Sequence, residues 1–173
     1  MILLLAGLPG VGKTTMAKTL APRLHATILN RDAIRDALFL PQDLDYSAQQ
    51  NHIATRTLLQ VAEYLLSRDH QRTVILDGRP MSRANQIEQV AQIAGKTGHN
   101  LRILHCVAPP DLIASRLAAE LVPPSATPID NRLTKTIGIA RDFEPITHPH
   151  LIVDTSCTPE ENLPVILTWL DNQ

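Results

Sequence analysis

The segment from Gly7 to Thr14 constrains the fold of this chain more than any other. It reads GLPGVGKT and fits the pattern of a glycine, four residues, a second glycine, a lysine and a serine or threonine. An apolar run, residues 2–6, precedes it, and an amphipathic stretch over residues 16–24 follows at helical spacing. The sequence therefore predicts a buried strand, a glycine turn and a helix in succession.

The glycine turn has a chemical meaning. Glycines let the backbone curl so that successive amides point inward and grip phosphate oxygens at the positive end of the helix. Lys13 adds a positive charge for the outer phosphates, and Thr14 offers a hydroxyl to a magnesium ion. We predict a nucleotide site formed by Gly7, Leu8, Pro9, Gly10, Val11, Gly12, Lys13, Thr14 and Thr15. The alternative is a plain glycine turn with a chance lysine.

Length and charge restrict the class of protein. A chain of 173 residues fits one domain, residues 1–173, and its formal net charge of −1 provides no broad basic field for nucleic acid. No apolar segment is long enough to cross a membrane. Cys106 and Cys157 form no metal-ligand pair and are expected to be reduced, as in a cytoplasmic protein. The oligomeric state stays open.

Apolar strands alternate with helices along the whole chain. We predict strands at residues 2–6, 26–30, 72–77, 101–107 and 151–153. Helices are predicted at residues 31–40 and 45–68, after a cap at Ser82, after Pro109, after a cap at Asp130 and after Thr158. This order is typical of an α/β fold with a five-stranded parallel sheet and helices on both faces. The proline-rich loop 121–128 between two helices suggests a lid at about residues 116–142, although a fixed connection is the alternative.

Two charged residues follow the second strand. Asp32 and Arg35 are three positions apart on a predicted helix, so they share a face at the sheet edge that carries the glycine loop. A carboxylate there can accept the proton of an attacking hydroxyl, and the arginine can hold a charged group of the acceptor. The alternative is that Asn30 or Asp32 only caps the helix and Arg35 is solvated.

Further candidates follow the third strand. Asp77 ends it at the place where phosphate-binding enzymes hold hydrated magnesium, which makes Thr14 and Asp77 the candidate metal ligands. Arg79 and Arg83 lie in the next loop and either contact phosphate or acceptor or remain at the surface. Three other residues are expected to be solvated or in the core rather than functional: His52, Arg56 and His105.

These segments together resemble the small P-loop kinases of the zeta-toxin, chloramphenicol-phosphotransferase and polynucleotide-kinase group. The chain looks closest to the kinase module of bacteriophage polynucleotide 5′-hydroxyl kinase. The matching segments, in order, are residues 7–15, 29–35, 74–83 and 127–130. The resemblance implies a three-layer P-loop NTPase fold with a helical lid, and ATP and Mg²⁺ as cofactors.

The resemblance also implies individual roles. Asp32 would be the general base, Arg35 would orient the acceptor, Arg116 would lie against the nucleotide, and the loop 154–159 would line the adenine. Lids of this group commonly carry a second arginine where this chain has Glu120, so charge stabilisation would fall to Lys13, the magnesium ion and whichever arginine can reach. The candidates for that arginine are Arg79, Arg83, Arg116 and Arg132.

The function predicted from the sequence is ATP-dependent transfer of a phosphate to a hydroxyl acceptor, either a short polynucleotide 5′-hydroxyl end or a small molecule. The alternatives are a P-loop ATPase or nucleotide-dependent switch that binds a partner, and an inactive descendant of a kinase. Against the ATPase, Asp77 is followed by Gly78 and Arg79, with no obvious glutamate to position a hydrolytic water.

Overall fold

A computed structural model describes residues 1–119 and 129–172, with the backbone alone at residues 129–131. Its centre is a five-stranded sheet in the order β2-β3-β1-β4-β5, in which every strand pair is parallel. The strands are β1 (Ile2–Ala6), β2 (Thr27–Asn30), β3 (Val74–Asp77), β4 (Leu101–Val107) and β5 (His150–Asp154). The predicted fold class is confirmed.

Helices connect the strands and cover both faces of the sheet. They are α1 (Lys13–Arg23), α2 (Arg31–Leu38), α3 (Ala48–Arg68), α4 (Ala84–Thr97), α5 (Pro110–Ala119), α6 (Ile129–Arg141) and α7 (Pro159–Asp171), with a short 3-10 turn at Pro41–Asp43. All five residues of β1 are buried, because this strand lies in the middle of the sheet. The glycine loop leaves the carboxyl end of β1 and so starts from the buried centre of the sheet.

Two apolar clusters hold the layers together. Helices α3 and α4 pack on one face through residues that include Leu58, Leu66 and Val90. Helices α1 and α7 pack on the other through Leu20 and Ile166. Burying a leucine- or isoleucine-sized side chain contributes roughly 1.5–3 kcal/mol, so these two layers fix where each strand end points.

Several element boundaries differ from the predictions. The helix predicted from residue 45 begins at Ala48, because the Ser47 hydroxyl accepts a hydrogen bond from the Gln50 amide and caps it there. Its buried residues include Ala54, Leu58, Ala62 and Leu66. The third strand begins at Val74 rather than residue 72.

Ser82 does not cap α4, contrary to the prediction. Arg83 occupies the cap position without a side-chain cap, and the Glu144 carboxylate accepts the Ala84 amide at 2.7 Å instead. A carboxylate from a distant part of the chain thus satisfies the helix end, which no local pattern could have indicated. The capping box predicted for α7 is confirmed: Thr158 and Glu161 bond reciprocally.

The predicted lid region is only partly described. Helices α5 and α6 pack together, and Leu133 contacts a small cluster that contains Val11, Ile113 and Leu117. Glu120, the loop 121–128 and the motif segment Thr127–Pro128 lie outside the described residues, as does the side chain of Asp130.

Candidate active site

The glycine loop has a backbone that only glycine adopts easily. Gly7, Gly10 and Gly12 have φ values of 135°, 75° and 100°. A Cβ atom at Gly7 would lie 2.3 Å from the Cys106 carbonyl oxygen, and one at Gly10 would lie 2.8 Å from Leu117 Cγ. The sequence pattern therefore reflects a tight turn pressed against β4 and α5.

Lys13 lies inside this loop rather than at the surface. The residue is 8% exposed, and Nζ donates hydrogen bonds to the carbonyl oxygens of Gly7 at 2.9 Å and Leu8 at 2.7 Å. Burial lowers the pKa of the Lys13 ammonium, while the negative charge of Asp77 acts in the opposite direction. The glycine loop thus holds the Lys13 ammonium in place, next to the amides that would bind phosphate with it.

Asp77, Thr14 and Asn30 form a compact polar group at the end of β3. Thr14 Oγ1 and Asn30 Nδ2 each donate to Asp77 Oδ2 at 2.7 Å. Asp77 is 2% exposed, and its other oxygen, Oδ1, is buried without a hydrogen-bond partner among the residues that the structure describes. Buried carboxylate oxygens are normally paired, so an unpaired one beside a threonine hydroxyl suits a hard cation.

Asn30 has a second task that sequence reasoning only partly anticipated. Its Oδ1 accepts the Ala33 amide and caps α2, while its Nδ2 holds Asp77. Gly78, with φ 86°, lets this strand end approach α2: a Cβ there would lie 2.9 Å from the Arg31 amide nitrogen. The helix that carries Asp32 is therefore fixed directly to the candidate metal carboxylate.

A first cleft, of about 510 Å³, opens beside the glycine loop. It runs from the start of α1 to the loop after β5 and carries Arg116 on its wall. Its lining is Gly10, Gly12, Lys13, Thr14, Thr15, Met16, Arg116, Thr155, Ser156, Cys157, Thr158 and Pro159. The structure thus brings together most of the predicted glycine-loop residues, Arg116 and most of the segment 154–159.

Thr155 organises this cleft; the resemblance included it only as part of the loop 154–159 and gave it no individual role. Its hydroxyl lies within hydrogen-bond distance of the Val11 carbonyl and of the Val107 carbonyl, the latter at 3.0 Å. Arg116 donates to Val11 O at 3.1 Å and to Thr155 O at 2.7 Å. The position of Thr155 just beyond a strand end at the ligand-binding edge was the available signal.

A second cleft, of about 960 Å³, adjoins the first and shares Gly10, Lys13 and Thr14 with it. Asp32, Arg35, Asp77 and Arg79 line it, together with side chains from α3 and α6. Arg31 Nη2 and Arg35 Nη1 donate to Asp32 Oδ1 at 2.6 and 3.0 Å. Asp32 Oδ2 receives no hydrogen bond from any described residue, and the side chain is 42% exposed.

The Arg35 side chain, predicted to hold the acceptor or to be solvated, instead contacts several protein groups. Its side chain is 9% exposed and donates to Asp36 at 2.9 and 3.0 Å and to Asn51 at 3.1 Å. Its guanidinium also lies 4.6 Å from the centre of the Tyr46 ring. Arg35 therefore positions Asp32 and α3; the supporting residues Tyr46 and Asn51 had no sequence signal.

The two arginines of the β3–α4 loop differ in position. Arg79 is half-buried in the second cleft and makes no hydrogen bond or ion pair with the described residues. Arg83 does not line either cleft: it pairs with Asp142 at 3.6 Å and Glu144 at 3.1 Å.

His52 and Arg56, expected to be solvated, are exposed but line the second cleft, as does Arg132. His105 stacks on Phe143 away from both clefts.

The sheet order, the glycine loop and the carboxylate at the end of β3 define a P-loop nucleotide-binding domain. The chain belongs to the AAA domain family, whose profile matches residues 2–125. No curated protein matches the sequence.

Solved structures share the fold over almost the whole chain. A protein of Chloroflexus aurantiacus J-10-fl proposed to be a kinase has a TM-score of 0.76 at 21% identity, covering 99% of this chain and 96% of that one. The Mycobacterium tuberculosis APS kinase CysC, in complex with AMPPNP and APS, has 0.70 at 20% identity, covering 98% and 96%. A sugar kinase from Janibacter sp. HTCC2649 has 0.65 at 18% identity, covering 98% and 94%.

The sequence contains no apolar segment that is predicted to cross a membrane. Within residues 1–119 and 129–172, no helix combines the length and the apolar character that a membrane crossing needs.

Proposed function

We propose that this protein is an ATP-dependent phosphotransferase that moves the γ-phosphate of ATP to a hydroxyl group of an acceptor. The observation that carries the proposal is the junction of the two clefts. Lys13 and Thr14 line both, and Asp32 lines only the second. A nucleotide in the first cleft would present its terminal phosphate at this junction, toward the carboxylate of Asp32.

The first cleft has the chemistry of a nucleotide site. The loop amides and the start of α1 bind phosphate, and Lys13 supplies a charge at the outer phosphates. Arg116, fixed by its bonds to Val11 and Thr155, brings a guanidinium to the same wall. The loop 155–159 would then receive the base. One of the solved kinases of this fold was crystallised with AMPPNP, which supports ATP as the donor.

Asp32 is the proposed base. Arg31 and Arg35 hold its Oδ1, which leaves Oδ2 open toward the second cleft. In the reaction, the acceptor oxygen forms a bond to the γ-phosphorus, the bond from that phosphorus to the β–γ bridging oxygen breaks, and ADP departs. The hydroxyl proton passes to Asp32 and then to solvent, so that charge and atoms balance.

The residues present also fit a magnesium ion. Thr14 and Asp77 would hold it, because the buried Asp77 Oδ1, which has no hydrogen-bond partner among the described residues, needs a cationic or donating one. When bound, Mg²⁺ neutralises charge on the transferring phosphate. The candidate residues for further charge stabilisation are Lys13, Arg116 and Arg132, all of which line a cleft.

We further propose that residues 1–173 act as one domain and that residues 116–142 form a lid. Closure of α5 and α6 over the clefts would exclude water and so favour transfer to the acceptor over hydrolysis. The acceptor is a short polynucleotide 5′-hydroxyl end or a small hydroxyl compound.

Labelled ATP tests the proposal. The protein is incubated with γ-labelled ATP, magnesium and pools of acceptors: oligonucleotides with 5′-hydroxyl ends, nucleosides, amino sugars, sugars and phosphorylated polyols. Label on an acceptor supports a kinase. Label found only in free phosphate, whatever the acceptor, would instead establish the ATPase or switch.

The variant Asp32→Asn then tests the base. We expect transfer to fall by about 10²–10⁴-fold, with ATP affinity nearly unchanged. Asp36→Asn is the matched control, since it also removes a carboxylate that pairs with Arg35, and its loss should stay below about tenfold. Equal activity of Asp32→Asn and the wild type would refute the role of Asp32.

A further inference from the structure

We infer that the acceptor is a small molecule that already carries a compact dianionic group, such as a phosphate ester, and that Arg79 binds this group together with Arg56 and Lys135. The inference rests on the proposed function only in calling the occupant of the second cleft the acceptor. Its basis is the imbalance of charge in that cleft.

The cations near the glycine loop already have partners. Arg31 pairs with Asp32, and Lys13 donates to two loop carbonyls. Arg35 is shared between Asp32 and Asp36. The negative charges of Asp32 and Asp36 are therefore already balanced by these arginines. Asp77, the remaining acid among the described residues that line the cleft, is hydrogen-bonded to Thr14.

Three other cations line the same cleft without such partners. Arg56 lies on α3, Arg79 on the β3–α4 loop and Lys135 on α6, so they come from three different elements around one space. None of the three side chains makes a hydrogen bond or an ion pair with the part of the chain that the structure describes. Among the described residues that line the cleft, no further acid is present to balance these three positive charges, so a bound anion would complement them.

Arg79 contributes most to the argument. It is half-buried, whereas Arg56 and Lys135 are exposed and could be solvated without cost. Burial lowers the pKa of the Arg79 guanidinium, and the like charge of Arg31 lowers it further. A guanidinium in this position is poorly hydrated and repelled by its neighbour, so a bound anion would stabilise it. The planar guanidinium also matches phosphate oxygens in a bidentate manner.

This anion site is separate from the phosphate loop. The first cleft has Lys13 and Arg116 as its cations, and Arg116 is occupied by Val11 and Thr155. The second cleft, and not the first, is lined by Arg56, Arg79 and Lys135. A phosphate monoester carries about −1.5 to −2 charges at neutral pH, which matches a set of three cations. The protein's overall charge of −1 argues against a polymeric anion, whose tight binding needs many surface contacts.

Calorimetry on the full chain saturated with Mg-AMPPNP tests the inference, since the nucleotide keeps other anions out of the phosphate loop. The probes are glycerol, glycerate and glycerol 3-phosphate, which share hydroxyl groups and differ in charge. We expect affinity to rise from the neutral to the dianionic probe by at least about tenfold overall. Equal affinity for glycerol and glycerol 3-phosphate would overturn the inference.

The variant Arg79→Gln should weaken binding of glycerol 3-phosphate at least about tenfold without changing the affinity for Mg-AMPPNP. The matched control is Arg23→Gln, at an exposed position at the end of α1 that lines neither cleft, and it should bind as the wild type does. Arg56→Gln, at an exposed position, provides a second variant that cannot disturb the core. Unchanged binding in both cleft variants would refute the assignment.

The outcomes separate the two proposals. If glycerol 3-phosphate binds through Arg79 but no label is ever transferred, the kinase proposal fails and the anion site stands. If Mg-AMPPNP does not bind, the kinase proposal fails as well, and the Arg79→Gln comparison on the nucleotide-free chain decides the anion site. Binding of a 5′-hydroxyl oligonucleotide but not of the small ester would overturn the inference in favour of a polymer.

Discussion

Thr14 Oγ1 donates a hydrogen bond of 2.7 Å to Asp77 Oδ2 and so joins the first turn of α1 to the end of β3. This bond connects two residues that lie 63 positions apart in the chain. The other carboxylate oxygen of Asp77 stays buried and unpaired among the described residues. This arrangement is the basis for our proposal that Thr14 and Asp77 hold a cation.

Asp77→Asn should remove the magnesium dependence of nucleotide binding. In the wild type, ATP with Mg²⁺ should raise the melting temperature more than ATP with a chelator, because a ligand stabilises the state that binds it. In Asp77→Asn the two increments should become equal, with a loss of affinity of about tenfold or more. Asp171→Asn, at an exposed position at the end of α7, should retain the difference. A persistent magnesium effect in Asp77→Asn would exclude the proposed ligand.

Gly7→Ala should destabilise the protein strongly. A Cβ atom at this positive-φ position would lie 2.3 Å from the Cys106 carbonyl, which is backbone and cannot move aside. Strain of this kind costs about 1–3 kcal/mol before the clash itself is counted. We expect the melting temperature to fall by roughly 5 °C or more, measured by circular dichroism. An unchanged melting temperature would mean that the loop adopts a different backbone.

Gly95→Ala is the matched control for that substitution. Gly95 lies within α4, is exposed, and a Cβ atom there meets nothing within 4 Å. Alanine favours the helix over glycine by up to about 1 kcal/mol, so this variant should be as stable as the wild type or more stable. Opposite signs in the two variants would show that the loop geometry, and not glycine content in general, sets the effect.

The two cysteines should differ in reactivity. Cys157 is exposed and lines the first cleft, whereas Cys106 is buried and burial raises the pKa of its thiol to about 12. Iodoacetamide at neutral pH should therefore label Cys157 alone in the folded protein. Saturating Mg-AMPPNP should slow that labelling at least several-fold if the nucleotide occupies this cleft. Mass spectrometry identifies the labelled residue. An equal rate of Cys157 labelling with and without Mg-AMPPNP would contradict the proposed position of the nucleotide.

Stability should decrease on mild acidification because of His105. Burial, and the nearby His150, lower the pKa of the His105 imidazole below its usual value of about 6.5. Below about pH 6.5 the unfolded chain binds a proton at His105 that the folded chain does not bind. The contribution of His105 to the free energy of unfolding is therefore fully present above about pH 6.5 and is lost as the pH falls toward the lower pKa of the folded state.

The groups that face His105 are Phe143, whose ring lies at 5.3 Å, and His150 at 6.0 Å. Chemical denaturation from pH 7.5 to 5 should give a shallower slope of unfolding free energy against pH in His105→Gln than in the wild type. Identical slopes would assign the effect to other groups.

The elements that local chemistry controls were predictable. The glycine pattern, the alternation of apolar strands with helices and the capping box at Thr158 all report forces that act within a few residues, and each appears in the structure. The ends of α3 and α4 were harder to place. Glu144, for example, caps α4 from 60 positions away, and no local pattern contains that information.

The candidate site shows the same division. Its carboxylates could be predicted because parallel strands deliver their carboxyl ends to one edge of the sheet, which places Asp32 and Asp77 near the glycine loop. The roles of the arginines could not be predicted in this way. Arg79 and Arg83 occur in the same loop, yet Arg79 lies in a cleft with no partner among the described residues and Arg83 pairs with Asp142 and Glu144.

The sequence by itself thus determined that this chain has a phosphate-binding loop, a parallel α/β sheet and a polar edge, because those properties follow from backbone conformation and apolar periodicity. The tertiary structure alone decided which cations near that edge are neutralised. Charge pairing depends on distances between residues far apart in the chain, and it left Arg79, Arg56 and Lys135 without partners among the described residues and Arg35 with several. The charge of the second cleft is therefore a tertiary property of this protein.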